Sequence, residues 1–298
     1  MQARALRVLR HAGAAIALLP IACVHAPMQP QAPIVLTVDA TGLPTSAQQG
    51  SLVIGRTDPH AIVTVAARRL RISRDGRFVF GIGRDAAGEV DVTVQSPGTA
   101  PTVHAIAVTP RHWPIERIVG VPPETVNPPA DIAARIDREQ ARVSAARTRD
   151  DDRDDYEQAF AWPVHGRISG RFGNQRIYVL PDGNEAPKAP HSGMDIAAPE
   201  GTPVLAPAAG IVTFADPDLY LTGGTVLLDH GHGVSSNFLH LSRIDVHVGD
   251  VVQQGQVIGA VGMTGRATGP HLHWGMNWFD VRVDPLLVLE HRQLAIHP

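Results

Sequence analysis

The stretch His191-Ser192-Gly193-Met194-Asp195, followed eighty residues later by His271-Leu272-His273, decides how this chain is interpreted. Together the two stretches offer three imidazoles and one carboxylate, which are ligand types that zinc prefers. In an extended segment, residues two or four positions apart point to the same side of the strand. Both ends of each stretch can therefore face one cleft and meet at a metal ion.

The number of these candidate ligands indicates an enzyme rather than a structural metal site. A catalytic zinc has three protein ligands and keeps a further position open for water. His191, Asp195, His271 and His273 offer four groups for three places. One imidazole is then left to exchange protons, which a structural site would not need.

The residues around the two stretches predict a mostly antiparallel β domain over residues 161–290. Short runs of β-branched and apolar residues alternate there with glycine and proline turns. Four of the predicted strands cover residues 202–206, 210–214, 225–229 and 255–259. No helical pattern of useful length separates them, so no helix is predicted in this part of the chain.

Six motifs, in this order, give the second domain a family resemblance. They are Pro190-His191-Ser192-Gly193-Met194-Asp195-Ile196, Gly201-Thr202-Pro203-Val204, residues 206–212, Phe238-Leu239-His240-Leu241-Ser242, residues 248–252, and residues 264–273. With these motifs, residues 161–289 resemble the lysostaphin-type (LytM-like) zinc metallopeptidases. The resemblance implies the fold of that family and cleavage of peptide bonds in bacterial peptidoglycan.

The same resemblance implies the metal and the roles of five residues. It implies one Zn²⁺ per chain, bound by His191, Asp195 and His273, with His240 and His271 as the catalytic pair. The expected partners are the stem peptides of peptidoglycan. A non-catalytic LytM-like regulator of another cell-wall hydrolase is the alternative function. Such regulators typically lose zinc ligands, whereas all five positions are filled here.

A second alternative, a biotinyl or lipoyl carrier domain, is excluded by the sequence. Residues 204–212 and 248–259 are similar to the paired strands of such carriers. A carrier needs a lysine at its hairpin to accept the cofactor. The chain has no lysine after Lys188, so this alternative fails.

Five further side chains near the motifs have weaker interpretations. His230 and His232 are predicted to be hairpin-turn residues and not ligands. Thr264, Arg266 and Thr268 lie in the glycine-rich loop before residues 271–273. They either line a substrate groove or only shape the loop, and the sequence does not decide between these roles.

Residues 34–110 predict a separate immunoglobulin-like β-sandwich. Short strands are expected over residues 34–38, 61–65, 70–72, 77–80, 90–94 and 103–108, with turns between them. His60 and His104 are expected on turns or at the surface. Since the domain has no cluster of metal-binding residues, it is expected to position or gate the enzyme. Deleting residues 27–129 should then leave an active fragment.

Residues 111–160 are predicted to form a proline-rich linker and a charged helix. Asn127-Pro128-Pro129 predicts the helix start, with Asn127 as cap and Asp131 in the first turn. A thin apolar stripe follows, at Ile132, Ile136 and Val143. Residues 147–155 are almost entirely charged and are expected to be a solvated helix end or hinge rather than a docking element.

The first 26 residues have the pattern of a secretory signal peptide. An apolar core at residues 12–22 follows three positive charges, at Arg4, Arg7 and Arg10. Residues 24–26 offer a cleavage site. Alternatively, Cys23 is the lipidated cysteine of a lipoprotein whose signal ends at residue 22, which would attach the protein to a membrane. Both alternatives predict an exported protein in the periplasm or cell envelope.

Composition excludes several other classes of protein. The 298 residues are 44% hydrophobic and 18% charged, which is typical of a folded protein. The net charge of −3 gives no basic excess for binding nucleic acid. Cys23 is the only cysteine, so neither an internal disulfide nor a cysteine-rich metal site is available. The oligomeric state stays unknown at this point.

Overall fold

The computed structural model describes residues 42–291 and is mainly β, as predicted. The predicted signal peptide, Cys23 and the predicted strand at residues 34–38 lie outside the described residues. Within residues 42–291, no helix combines the length and the apolar character needed to cross a bilayer.

Seven strands form the N-terminal part of the described chain. They are β1 (Ser46–Gln48), β2 (Leu52–Arg56), β3 (Ile62–Val65), β4 (Arg68–Arg69), β5 (Arg77–Gly81), β6 (Glu89–Gln95) and β7 (Thr102–Thr109). One sheet has the order β1-β7-β6-β3-β4, and β2 pairs with β5 in a second. The buried faces of both sheets, including Phe78, Phe80 and Ile106, belong to one hydrophobic cluster. The immunoglobulin-like assignment stays a prediction.

The strand predictions for this part are right in four places and wrong in one. Strands β3, β5, β6 and β7 lie where alternating apolar residues predicted them. The strand predicted over residues 70–72 is wrong. The chain turns at Ala66 and Ala67, which have positive φ, and the next strand is the short β4, which pairs with β3 before residue 70 is reached. Strands β1 and β2 were not predicted.

The segment predicted as linker contains regular structure. It holds β8 (Ile115–Val119), α1 (Pro123–Val126), α2 (Ala130–Ala146) and a 3-10 turn (Asp155–Glu157). The predicted helix is confirmed as α2, with Asp131 in its first turn. Asn127 does not cap it; Asn127 ends α1, and Pro129 precedes α2 without a capping side chain. Ile136 is buried, and Val143 packs on a cluster around Phe214.

The charged run after α2 is largely exposed, and some of its residues also contact other segments. Asp150 accepts a 2.9 Å bond from Arg71 of the N-terminal part. The carbonyl of Asp151 accepts from the backbone N–H of His232, and the backbone N–H of Tyr156 donates to the carbonyl of His230. Residues 150–156 therefore join the N-terminal part to the turn at residues 230–233.

The C-terminal part consists of thirteen strands and one short helix. They are β9 (Arg167–Gly170), β10 (Gln175–Val179), β11 (Glu185–Pro187), β12 (Met194–Ala197), β13 (Pro203–Leu205), β14 (Gly210–Leu219), β15 (Gly223–Asp229), β16 (Val234–Leu241), β17 (Arg243–Ile244), β18 (Val251–Val252), β19 (Val257–Ala260), β20 (His271–Trp278), β21 (Val281–Val283) and α3 (Pro285–His291). Helix α3 was not predicted.

An antiparallel sheet of eight strands dominates this part, as predicted. Its order is β18-β14-β15-β16-β20-β12-β9, and β21 pairs with β20. Every pairing within it is antiparallel. A second sheet has the order β13-β19-β17, and a third has the order β11-β10-β8. Phe238, Trp274 and Ile196 are fully buried on the large sheet and form the middle of its core.

The N-terminal and C-terminal parts share one hydrophobic cluster. Gly81 of β5 packs so closely that an added Cβ would lie 3.0 Å from atoms of both Trp278 and Val283. Arg111 makes a 2.8 Å ion pair with the buried carboxylate of Asp284. Strand β8 pairs in parallel with β10 over residues 115–119 and 175–179.

These contacts change what we expect from deleting residues 27–129. The deletion would remove β8 from its sheet, uncover Trp278 and leave Asp284 as a buried carboxylate without its partner. Burying an unpaired charge or exposing core surface is destabilising. An active fragment is therefore no longer expected from that cut, although the predicted domain boundaries themselves stay predictions.

Candidate metal and catalytic site

Three neighbouring strands of the large sheet bring the candidate ligands together. Strand β12 pairs with β20 so that Asp195 lies directly opposite His273. On its other side, β20 pairs with β16, where Leu239 lies opposite His273 and His240 follows. Side chains directly opposite each other on antiparallel strands have Cβ atoms about 5 Å apart. The register therefore places Asp195 and His273 at one point on one face of the sheet, with His240 at the adjoining end of the pairing between β16 and β20.

His191, Asp195 and His273 form a compact triad of ligand atoms. Oδ1 of Asp195 lies 3.0 Å from Nε2 of His191 and 2.8 Å from Nδ1 of His273. The two imidazole nitrogens are 3.0 Å apart. All three residues are buried. Among residues 42–291, this is the group of His, Cys, Asp or Glu side chains whose geometry would hold a metal ion.

The hydrogen bonds around the triad direct its acceptor atoms at one point. Nδ1 of His191 is 3.0 Å from the carbonyl of Arg171 and donates to it, so Nε2 is the nitrogen that can offer a lone pair to a metal ion. Nε2 faces an oxygen of Asp195 and a nitrogen of His273. A metal ion between these three atoms would accept a lone pair from each of them, in the place that the Nδ1 proton of a neutral His273 takes without a metal.

The charge states of His273 and Asp195 suit ligands of a metal ion. Burial lowers the pKa of His273 to about 3, which keeps its imidazole neutral near pH 7. Burial alone would raise the pKa of Asp195, but the facing His191 and His273 outweigh it and hold that pKa well below its ordinary value. Metal ions bind neutral imidazoles and ionised carboxylates, which is the state of His273 and Asp195 here.

The size of the triad also fits zinc. Zinc bonds of about 2.0–2.1 Å in a tetrahedron separate the ligand atoms by about 3.3 Å. The observed separations of 2.8 to 3.0 Å lie within a few tenths of an ångström of that value. The residues present therefore fit a zinc ion with three protein ligands.

Arg176 is a residue of this site that the sequence did not single out. Its Nη2 lies 2.5 Å from Oδ2 of Asp195, the carboxylate oxygen that the imidazoles do not contact. The bond fixes the orientation of the carboxylate and leaves Oδ1 for the metal, which is how partners outside the ligand shell act on a metal site. Arg176 comes from β10 and reaches Asp195 only through the fold, so no local motif could have indicated it.

His240 and His271 form a second pair of imidazoles beside the triad. Their ring centroids are 4.8 Å apart, and Nε2 of His271 lies 3.9 Å from Oδ1 of Asp195. Nδ1 of His240 donates to the carbonyl of Thr264, and Nδ1 of His271 donates to the carbonyl of Gly269, both at 2.8 Å. These bonds fix both tautomers, so each neutral ring has an unprotonated Nε2 for proton transfer.

His240 has the backbone and the charge state of a functional residue. Its φ is +65°, a left-handed conformation that costs a residue other than glycine about 1–3 kcal/mol. Burial, and next the charge on His271, lower the pKa of His240 to about 4, so its ring is neutral at pH 7. Strained backbone concentrates at functional sites, and here it lies where β16 stops pairing with β20, with the ring of His240 facing His271.

The site opens into a cleft of about 970 Å³. His191, His240 and His273 lie in its wall, and its far side is formed by Ile136 of α2 and by Tyr178 of β10. Of the loop residues with two interpretations, Arg266 lines the cleft, with its guanidinium 4.9 Å from the ring centroid of Tyr178.

The remaining candidates take structural positions. Thr264 shapes the loop, because its hydroxyl donates to the carbonyl of Leu241 and accepts from the N–H of Gly224. His230 and His232 lie in the turn between β15 and β16, as predicted.

The two remaining histidines with a predicted placement lie in the N-terminal part. His60 is exposed in a turn, as predicted, whereas His104 is half-buried within β7 and does not lie in a turn.

A buried metal-ligand triad and a histidine pair in an open cleft are features of a metallohydrolase. Residues 189–285 match the sequence profile of peptidase family M23. A crystal structure from Pseudomonas aeruginosa, described as an M23 peptidase, is 31% identical in sequence with a TM-score of 0.62. That similarity covers 81% of this chain and 94% of the other. The chain therefore belongs to peptidase family M23.

Two curated relatives are similar over the C-terminal part. Peptidoglycan DD-endopeptidase ShyA of Vibrio cholerae is 40% identical over 124 residues, 41% of this chain and 28% of ShyA. DD-carboxypeptidase/endopeptidase Mpg of Neisseria meningitidis is 40% identical over 125 residues, 42% of this chain and 27% of Mpg. The chain thus spans little more than a quarter of the length of these relatives.

Proposed function

We propose that this protein is a zinc-dependent endopeptidase that hydrolyses peptide cross-links of peptidoglycan. The single observation that carries the proposal is the triad, in which two imidazole nitrogens and one carboxylate oxygen lie within 3.0 Å of one another. Membership of family M23 and the peptidoglycan endopeptidases among its relatives support the reaction and the substrate class.

His191, Asp195 and His273 would hold one zinc ion per chain. Zinc bound there supplies a Lewis acid and lowers the pKa of a bound water from 15.7 to about 7. Arg176 holds the carboxylate of Asp195 in the orientation that leaves Oδ1 for the metal. The burial of the three ligand side chains strengthens the electrostatic interactions among them.

His240 and His271 would exchange the protons of the reaction. Each presents an unprotonated Nε2 at the cleft, since its Nδ1 is held by a backbone carbonyl. One imidazole accepts a proton from the attacking water, and an imidazolium then stabilises the oxyanion or protonates the leaving amine. The two rings are close enough, at 4.8 Å, to share these tasks at one scissile bond.

The regulator alternative is less well supported than the enzyme. A non-catalytic relative has no need of the strained backbone of His240 or of two fixed tautomers beside a complete ligand triad. His191, His240 and His273 line one cleft here, and His271 lies beside Asp195 and His240 at its edge. The convergence therefore supports catalysis by this chain itself.

We place the enzyme in the cell envelope, with D-alanyl–diaminopimelate cross-links as its substrate. The signal-peptide pattern of the first 26 residues supports export, and Cys23 supplies a lipidation site for membrane attachment. The two DD-endopeptidase relatives support the choice of bond.

The experiment that tests the proposal is digestion of isolated peptidoglycan by the purified protein, with and without a chelator. Mass spectrometry of the released fragments should show new peptide termini that disappear with chelator and return with added zinc. His271→Ala, which keeps the ligand triad, is the matched control and should release none. Fragments that are the same with His271→Ala would show that another enzyme is acting.

A further inference from the structure

A second cavity of about 370 Å³ adjoins the catalytic cleft and lies between α2 and the large sheet. Its lining includes Arg147, at the C-terminal end of α2, and Arg282, on β21. Ser192, Thr222 and Leu239 line this cavity and also the cleft, so the two spaces are continuous. Ser192 directly follows the metal candidate His191.

The two arginines have no acidic partner among the described residues. The ion pairs of residues 42–291 include neither guanidinium, and Nε of Arg147 is buried without a hydrogen-bond partner. Nη1 of Arg282 reaches only the amide oxygen of Asn277, at 3.4 Å. Glu139 lines the cavity too, but its carboxylate accepts from Arg135 at 2.6 Å and from the N–H of Tyr220 at 2.8 Å.

Burying the guanidinium groups of Arg147 and Arg282 close together without a carboxylate costs free energy of folding. Burial, and next the charge on Arg282, lower the pKa of Arg147 to about 9. Burial also lowers the pKa of Arg282. Since guanidinium groups stay protonated in proteins, the pair carries positive charge that no carboxylate of residues 42–291 compensates. The neighbouring Asn237 adds an amide oxygen that is buried and unpartnered.

The usual structural roles of an arginine do not explain this pair. A cation near the end of a helix can interact with the last carbonyls, but no carbonyl accepts a bond from the guanidinium of Arg147 in residues 42–291. Other arginines of α2 have such roles: Arg135 pairs with Glu139, and Arg142 pairs with Asp216 at 2.8 Å. Arg147 and Arg282 are thus arranged for a group that comes from outside the chain.

We propose that Arg147 and Arg282 form an anion-binding subsite that binds a carboxylate of the peptide substrate. A guanidinium pair matches a carboxylate in shape and charge and forms charge-assisted hydrogen bonds with it. The inference rests on the proposed function, because peptidoglycan stem peptides carry free carboxylates along a short chain. Because the cavity and the cleft adjoin at Ser192, one peptide could place a carboxylate in the cavity and its scissile bond at the metal triad.

The test compares two substrates with the full-length zinc protein. One is a cross-linked peptide dimer with free side-chain and terminal carboxylates, and the other is the same dimer with carboxamides. We expect kcat/KM to be about ten- to one hundredfold higher for the free acid, the range that charge-assisted hydrogen bonds supply. The double variant Arg147→Gln/Arg282→Gln should lose this preference and cleave the two dimers with similar kcat/KM.

The matched control is Arg138→Gln, an exposed arginine on the same helix that lines neither cavity. It should keep the preference. Thermal unfolding separates binding from a structural role, because removing two uncompensated charges should leave Tm unchanged or higher. An equal loss of activity on both substrates, an unchanged preference, or a lower Tm in the double variant would overturn the subsite.

A measurement without turnover separates this proposal from the proposed function. Calorimetric titration of chelator-treated protein with the free-acid tetrapeptide should give at least tenfold weaker binding to the double variant than to wild type. If wild type cleaves neither dimer but this difference in binding appears, the subsite is supported and the hydrolytic function fails. Equal binding to wild type and double variant would refute the subsite whatever the hydrolysis shows.

Discussion

Replacing His230 by glutamine should remove a large part of the acid sensitivity of this fold. His230 is completely buried in the turn between β15 and β16. Its Nδ1 donates to the carbonyl of Ala209 at 2.7 Å, and its Nε2 lies 2.8 Å from the hydroxyl of Ser236. The neutral ring therefore satisfies both its nitrogens, and no carboxylate is bonded to it that would favour the charged form.

The magnitude follows from the pKa of this imidazole. Burial lowers the pKa of His230 from 6.5 to about 4. The unfolded chain takes up a proton below pH 6.5 and the folded chain only below about pH 4. The stability from the neutral ring is complete above pH 6.5 and falls as pH drops toward 4. The 1.5 pH units between 6.5 and 5 correspond to about 2 kcal/mol, at 1.36 kcal/mol per unit.

Urea unfolding at pH 7 and pH 5, followed by tryptophan fluorescence, measures the effect on chelator-treated protein. Wild type should lose about 2 kcal/mol more than His230→Gln between the two pH values. The exposed His60 supplies the control, since His60→Gln should lose as much as wild type. If His230→Gln and wild type lose the same free energy, the burial argument for His230 is wrong.

Further predictions concern the metal, the histidine pair, the carboxylate and the leader. His191→Ala should bring zinc below one equivalent per chain in metal analysis, and full retention would rule out the ligand set. His240→Asn, which tolerates φ of +65°, and His271→Ala should keep zinc and lose about 10²- to 10⁴-fold in rate, so wild-type rates in both would refute the catalytic pair. Gly170→Ala should weaken zinc binding in a chelator competition, because its Cβ would press on Oδ2 of Asp195; unchanged affinity would show that the carboxylate moves freely. Cys23→Ala should move the protein from the membrane to the soluble envelope fraction, and unaltered fractionation would exclude lipidation.

The β core and the ligand triad were predictable because their signals are local. Alternation of apolar residues marks strands such as β14 and β15 directly. A spacing of two places His271 and His273 on one side of β20, and the family motifs indicate that His191 and Asp195 complete the ligand set. The structure adds that β12 pairs with β20, which brings Asp195 to the face of His273.

The remaining features depend on contacts between distant segments. Strand β8 pairs with β10, sixty residues later, and nothing in its own sequence shows that partner. Arg176 reaches Asp195 through that same sheet. Arg147 seemed part of a solvated charge run, yet its position beside Arg282 appears only once α2 is packed on the large sheet. Periodicity reports which face of an element is buried and does not report what lies against it.

The most direct test of the central claim is a zinc titration of the metal-free protein, with hydrolysis of purified cross-linked muropeptide dimers as the readout. The rate of monomer formation should rise linearly and level off at one zinc per chain, while His273→Ala stays inactive throughout. Dimers that remain intact at one equivalent of zinc, or hydrolysis that proceeds without metal, would contradict the account.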